Sequence, residues 1–311
     1  MRSSSVVVVG SANADLVVHC RRVPGPGETL LGAGFATVPG GKGANQAVAC
    51  SRLGAQAHFV GCVGSDAFGA FLRRTMSESG VSLEHLGVDK KLPTGVALIM
   101  VAASGQNSIV VAPGANAAVT PQRVRAARRT IAAAGALLLQ LEIPLAAVAA
   151  ALDAARESGV LAVLDAGPAM RLPAGILRKA NIVSPNESEA QALTGIAVSS
   201  LSSARRAARA LIGMGLECVV MKLGHRGALL ARGKAMRHFP AVPVRPVDTT
   251  AAGDAFTAAL TVSLAGGTEI GEAVRFANHA GALATLTLGA QPSMPTLISL
   301  RRFMRRTASA G

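Results

Sequence analysis

A chain of 311 residues that is 50% hydrophobic can bury a large core, which excludes a disordered or fibrous protein and fits one large α/β domain or two modest ones. The formal net charge of +14 invites a nucleic-acid partner, but aromatic residues make up only 3% of the chain, with no Trp or Tyr to stack on bases. The arginines are spread over many segments, with short clusters at Arg205 and Arg206 and at Arg301, Arg302, Arg305 and Arg306, so the charge reads as solvated helix faces and no nucleic-acid partner is expected.

Residues 6–9 are four valines that lead into Gly10 and read as a first strand; behind Arg2 and three serines they are too few for a signal-peptide core. The cysteines at 20, 50, 62 and 218 form no CxxC or paired spacing, which together with the missing signal predicts a cytoplasmic protein without a disulfide framework. Residues 16–38 and 94–111 hold short apolar alternations broken by Gly, Pro or Asn, and are expected to form antiparallel strands of a small separate sheet. Such a sheet is either a lid over a site or an ordinary surface hairpin. Between them lies a glycine-rich turn at 39–46, followed by a helix expected over 47–53.

After about residue 115 helical and short apolar segments alternate. Thr120 and Pro121 open a helix as N-cap and first-turn proline. Then follow a strand at 136–141, a helix at 144–158, a strand at 160–165, a connection through Pro168 and Pro173, a strand at 182–184, helices at 187–193 and 202–214, and a strand at 218–223. The apolar stretch 131–152 is as long as a membrane span, but Gln140, Glu142 and Pro144 divide it into strand and helix, so no membrane segment is expected. Repeated βα units mean a parallel sheet covered by helices on both faces, with ligands beyond the carboxyl ends of its strands. Polar or glycine residues stand at those ends: Asn13 and Asp15, Glu142, Asp165, Asn186 and Glu189, and Gly224 and Gly227.

The sharpest motif is Asp248-Thr249-Thr250-Ala251-Ala252-Gly253-Asp254 before the helical run 255–264. Small residues ahead of a helix let several N–H groups converge, and the helix dipole favours negative charge there. A carboxylate at the mouth of such an anion hole suits a base that deprotonates an alcohol while the amides hold a migrating phosphoryl group. Asp254 could equally be a helix N-cap. The second motif, 39–46, has glycines at 40, 41 and 43 that allow close approach by a ligand, with Lys42 and Asn45 as hydrogen-bonding groups; it is no Walker A loop, and a hinge reading stands beside the functional one. Asn13 and Asp15, two apart on an extended segment, project to one face and can grip adjacent hydroxyls of a polyol, although surface-loop polarity would explain either alone. The six histidines show no metal-binding spacing, and Cys62 and Cys218 sit in apolar runs as simple buried thiols.

Together these segments resemble the ribokinase-like (PfkB) carbohydrate kinase family over nearly the whole chain, from VVVVGSANAD through GGKGANQAVACSRLG, TGVALIMV, LLLQLEIP, SPNESEA and KLGHRG to DTTAAGDAFTAAL and GAQPSMP. The resemblance implies an α/β three-layer sandwich in one domain spanning 1–311, with a mostly parallel central sheet and a β-sheet lid from roughly 14–40 and 93–112. It implies ATP-dependent phosphorylation of the primary hydroxyl of D-ribose, giving ribose 5-phosphate and ADP. Asn13, Asp15, Gly41, Lys42, Asn45 and Glu142 would hold the sugar, Asp254 would activate its hydroxyl, and Ala251, Ala252 and Gly253 would form the anion hole. Asn186 and Glu189 match positions that organise phosphate, Mg²⁺ and water, and Lys222, Gly224, Gly227, Gly253 and Asn278 match the nucleotide side. Lys222 and Asn278 depart from the commonest pattern, which has threonine and histidine there, so nucleotide choice is the open point. A monovalent cation, K⁺, would be held at Asp248, Thr250, Ala284, Thr287, Gly289 and Ser293, and a homodimer would form through the lid sheet. The alternatives are a kinase of deoxyribose, fructose, another small sugar or a nucleoside, the last disfavoured by the scarcity of aromatic rings, and a basic nucleic-acid-binding or regulatory protein on the same fold.

Overall fold

The computed structural model describes residues 5–308; Arg2 and the serines at 3 and 4 lie outside the described residues, as do 309–311. Thirteen strands occur among them: β1 Ser5–Val9, β2 Asn13–Cys20, β3 Gly34–Gly40, β4 Gln56–Gly64, β5 Leu86–Asp89, β6 Gly95–Ala102, β7 Asn107–Ala112, β8 Ala136–Leu139, β9 Leu161–Asp165, β10 Ile182–Ser184, β11 Cys218–Lys222, β12 Ala228–Arg232 and β13 Ala235–Phe239. Nine of these form the main sheet in the order β13-β12-β11-β10-β9-β8-β1-β4-β5. The pairs from β11 to β5 are parallel, and β12 and β13 add an antiparallel edge.

Continuous apolar runs suit strands covered on both faces. Along β1, Val6 and Val8 enter one core layer while Val7 and Val9 enter the other, as the alternation of a strand dictates. The first layer takes its cover from the helices Lys42–Arg52, Ala67–Glu78, Ala252–Ala265 and Ile270–Ala284; the second from Leu145–Glu157 and Leu201–Gly213. Each fully buried leucine, such as Leu138 on one side or Leu137 on the other, contributes about 1.5–3 kcal/mol of transfer free energy. No described helix is long and apolar enough to cross a membrane.

The two segments set apart in the sequence pair into a second sheet, in the order β3-β2-β6-β7. Its pairing is mixed, which corrects the all-antiparallel expectation: β2 runs parallel to β6 from Asn13↔Gly95 to Cys20↔Ala102. β3, a helix, β4, a second helix and β5 lie between them, and so long a crossover permits a parallel pair where a tight hairpin would not. By register, Leu16, Val18, Phe35, Leu98, Met100 and Val110 share one face of this sheet, and Asn13, Asp15 and the buried Ala97 share the other.

Two helix starts also differ from expectation. The helix expected at 47 begins at Lys42, so Lys42, Asn45 and Gln46 ride on its first turns instead of in a loop. Gly41 precedes it with φ +85°, and a Cβ there would come within 2.6 Å of the Asn13 nitrogen, while one at Gly43 would come as close to that of Ser11. This close packing on residues 10–13 outweighs the weak helix propensity of Gly43 and Asn45. The helix expected at 255 begins at Ala252, with the same consequence for Asp254.

Candidate active site

The carboxyl ends of β1, β8, β9 and β11 meet the first turns of the helices Lys42–Arg52 and Ala252–Ala265, and a buried polar cluster forms where they converge. Asp254 lies at its centre. Ala251, which makes no side-chain bond, holds the N-cap position, so Asp254 is the third residue of its helix and the capping alternative does not apply. Its side chain turns inward: Oδ2 accepts from Asn45 Nδ2 at 3.1 Å, Oδ1 accepts from Gln46 Nε2 at 3.0 Å, and Lys42 Nζ stands 3.8 Å away. Asp254 is the main reason that the Lys42 ammonium is held above its ordinary range.

Around this carboxylate the sequence-predicted residues are close neighbours. Glu142 Oε2 accepts from Ser11 Oγ at 2.5 Å and from the Lys42 amide at 3.1 Å, tying the end of β8 to the start of the helix. Asn13 Oδ1 accepts from Asn116 Nδ2 at 2.7 Å, and Asn116 also clasps the Ala12 backbone through both ends of its amide. The half-buried Asp15 packs against Gly40; burial first, then the negative charges of Glu142 and Asp254, push its carboxyl up to about 7. Asn45 Oδ1 is buried with no hydrogen-bond partner, an acceptor ready for a donor such as a hydroxyl.

Ala251 is the only non-glycine residue with positive φ among the described residues, at 58°. A strained residue at a helix start is a feature concentrated at functional sites. The amide of Ala252 is spent on Thr249 O at 3.3 Å, which narrows the anion hole expected from Ala251, Ala252 and Gly253, and that of Thr250 is spent on Asp248 Oδ1 at 2.9 Å. The amides of Gly253 and Asp254 remain, since first-turn N–H groups have no carbonyl one turn behind them. A Cβ at Gly253 would meet only the Lys222 side chain, at 3.8 and 3.9 Å, so the protein leaves open the space over this turn.

Lys222 projects inward from β11 rather than along a surface. Its Nζ donates to Asp165 Oδ1 at 2.9 Å and to Thr257 Oγ1 at 3.3 Å, and lies 3.9 Å from Glu189 Oε2. Asn186 and Glu189 form a capping box on the helix Glu187–Thr194, with the Asn186 amide donating to Glu189 Oε2 at 2.7 Å. Burial pushes the Glu189 carboxyl up in spite of the nearby Lys222 charge. Gly224 and Gly227 bracket a tight turn after β11, where the backbone of 239–241 passes close over Gly227. Asn278 spends its Nδ2 on Pro240 O at 3.1 Å, so it fastens that passing segment from the helix Ile270–Ala284.

The residues expected to hold a monovalent cation lie on two segments that the fold joins. Asp248 Oδ2 accepts from the Gly289 amide at 2.8 Å, and Thr285 O accepts from the amides of Val247 and Asp248 at 2.8 and 3.1 Å. Ala284 O accepts the Thr287 amide at 3.3 Å and Ser293 Oγ donates to Ala290 O at 2.7 Å. Burial opposes ionisation of Asp248, but the Thr250 hydroxyl and the amides of Gly289 and Thr250 hold its carboxyl below the usual range.

Several participants carry no role in the sequence reading. Gln46 lies inside the second motif beside Lys42 and Asn45, and its amide bridges Asp254 and Asp165. Asp165, a polar residue at a strand end, is fully buried and accepts from Gln46, Lys222 and Thr257. Ser11, Asn116 and Gln140 are polar residues in apolar surroundings, and that contrast is the signal by which a sequence can point to them.

A parallel sheet whose strand ends carry polar side chains, with a buried carboxylate beside free helix-start amides, is the arrangement of a phosphotransferase acting on an alcohol. Residues 3–297 match the sequence profile of the pfkB family of carbohydrate kinases, and the chain belongs to that family. It is 40% identical to the ribokinase of Haemophilus influenzae over 94% of this chain and 95% of that one, and 31% identical to the deoxyribokinase of Salmonella typhi over 96% and 98%. Among solved structures, Arabidopsis thaliana ribokinase complexed with ribose and ATP superposes with a TM-score of 0.91 at 36% identity, covering 97% of this chain and 99% of that one.

Proposed function

We propose that the protein transfers the γ-phosphoryl group of ATP to the primary hydroxyl of D-ribose, giving ribose 5-phosphate and ADP. The observation that carries this reading is the inward-turned Asp254 carboxylate beside the open amides of Gly253 and its own backbone. Asp254 takes the hydroxyl proton as the sugar oxygen bonds to the γ-phosphorus; the bridging P–O bond breaks and its electron pair leaves on ADP. The amides of Gly253 and Asp254 and the Lys42 ammonium offset the charge of the phosphoryl group in transit. Asp15, Asn13 and the unpartnered Oδ1 of Asn45 hold the remaining hydroxyls, and Gly41 lets the chain pass close to them.

Asn186 and Glu189 would hold Mg²⁺ carried in with ATP: a buried carboxylate whose charge is disfavoured by burial and by nearby Asp165 gains from a cation, and the metal would supply charge that offsets the phosphates. Asp248, the only charged member of an otherwise carbonyl and hydroxyl set with Thr250, Ala284, Thr287, Gly289 and Ser293, fits K⁺, which would steady the loop that starts the anion hole. Gly224, Gly227 and Asn278 line the approach on the nucleotide side. Four free, buried cysteines suit the reducing cytoplasm. The exposed apolar face of the lid sheet suits pairing with a second copy of the chain.

The similarity to a deoxyribokinase makes deoxyribose the second reading. ADP release with ribose, deoxyribose, fructose and a nucleoside ranks them. The highest kcat/KM is expected for ribose, with loss of turnover when K⁺ is replaced by tetramethylammonium. ATP consumption that no sugar stimulates contradicts the assignment.

A further inference from the structure

Asp254 is not held by the sugar-side residues alone. Gln46 Nε2 donates to Asp254 Oδ1 at 3.0 Å and to Asp165 Oδ2 at 2.8 Å, while Gln46 Oε1 accepts from Gln140 Nε2 at 2.6 Å. Carboxylates only accept, so the amino end of Gln46 must face both aspartates and its carbonyl must face Gln140. The amide is therefore locked, and Asp254 gets a donor whose direction is set from behind by Asp165.

Asp165 accepts most strongly while it is ionised, and it is fully buried, where a carboxylate's charge needs an offsetting partner. Lys222 supplies the missing charge: its Nζ donates to Asp165 Oδ1 at 2.9 Å and to Thr257 Oγ1, whose single hydroxyl hydrogen is shared between Asp165 Oδ2 at 3.1 Å and Gly253 O at 2.9 Å. Burial would push the Asp165 carboxyl up, yet the ammoniums of Lys222 and Lys42 bring it below its ordinary range. The Gly167 amide, at 3.3 Å, completes the set of donors.

We infer that Asp165 and Lys222 form a buried charge pair that positions the base: Lys222 neutralises Asp165, Asp165 orients Gln46, and Gln46 fixes Asp254. Asp165, Lys222 and Gln46 are thus positioning residues, and the role of Lys222 is to balance charge behind the base rather than to bind nucleotide. The inference rests on the reading of Asp254 as the base. The charged groups that surround Asp254 are Lys42 from its helix, Asp15 from β2, Glu142 beyond β8, Asp165 at the end of β9, Glu189, and Lys222 on β11. Of these, only Asp165 is joined to Asp254 through a single shared side chain, Gln46. Changing one member of the pair alters the net charge one amide away from the base, and changing both does not.

The test uses the full-length chain as wild type, Asp165→Asn, Lys222→Met and the double variant. Each is measured for kcat, for KM of ribose and of ATP, and for the pH profile of kcat. Lys222→Met leaves an uncompensated negative charge that favours a protonated base, so its acid limb moves to higher pH by about one unit and kcat falls about tenfold or more near neutrality. Asp165→Asn leaves the ammonium uncompensated and moves the limb to lower pH. The double variant returns the limb toward the wild-type position and recovers turnover relative to Lys222→Met, with ATP KM little changed throughout. Should Lys222→Met fail to fold, a downward shift in Asp165→Asn that the double variant reverses supports the same conclusion, and no shift overturns it. A raised ATP KM in Lys222→Met with an unmoved limb also overturns it, making Lys222 a nucleotide contact. A wild type that turns over no sugar defeats the kinase reading itself and this inference with it.

Discussion

Asp15 holds its last proton unusually tightly, because its carboxyl is buried beside Glu142 and Asp254 and is pushed up to about 7 from the ordinary 3.8. A carboxyl that gains proton affinity on folding stabilises the fold most below about pH 4 and loses that contribution as pH climbs through about 7. Asn at this position cannot ionise. Melting of sugar-free wild type against Asp15→Asn should show a stability difference that shifts in the variant's favour between pH 5 and 8, by about 1–2 kcal/mol after allowance for solvent screening. A difference that stays constant with pH contradicts the shared negative environment. Asp15 was legible in the sequence as a residue beyond a strand end, and so were Asp254, Lys42 and Asn45, because each sits in a motif of small residues with few other reasons for polarity. Asp165 was legible in the same way, but its link to Gln46 was not, since that bridge joins residues 119 positions apart and no local pattern encodes the distance.

At the scale of elements, the start of the helix Ala252–Ala265 separates what folding needs from what the reaction needs. A methyl at Gly253 would make only ordinary contact with Lys222, and alanine favours a helix over glycine. Gly253→Ala should therefore melt at or above the wild-type temperature while kcat/KM for ATP falls, because the methyl would stand in the open space above the amides. Lost stability would mean that the fold itself demands this glycine. The helix starts at Lys42 and Ala252 lay three to five residues ahead of where apolar periodicity placed them. Their first turns hold glycine and polar residues, and only packing against other strand ends makes them helical. The parallel β2–β6 pair was hidden for a related reason: alternation reveals strands but not which long crossover joins them.

In the molecule as a whole, two faces of one small sheet have opposite characters. Asn13 and Asp15 turn one face toward the polar cluster, while Leu98, Val110 and Phe35, 53%, 63% and 67% exposed, lie on the other. Water against so much apolar surface is unfavourable, and the proposed pairing with a second copy would remove it. Leu98→Glu should convert a dimer to a monomer in sedimentation; an unchanged mass would place any self-association elsewhere. The layered α/β plan was legible because repeated βα units admit few arrangements. The antiparallel edge β12–β13 and the helix Ile270–Ala284 were not drawn from sequence, since short strands and alanine-rich helices carry weak periodicity. The central claim is that one carboxylate beside open amides deprotonates the sugar, and turnover of Asp254→Asn with ribose and ATP tests it most directly. A folded variant should lose about 10²- to 10⁴-fold in kcat with a much smaller change in ATP binding; a folded variant with near-normal turnover would contradict it.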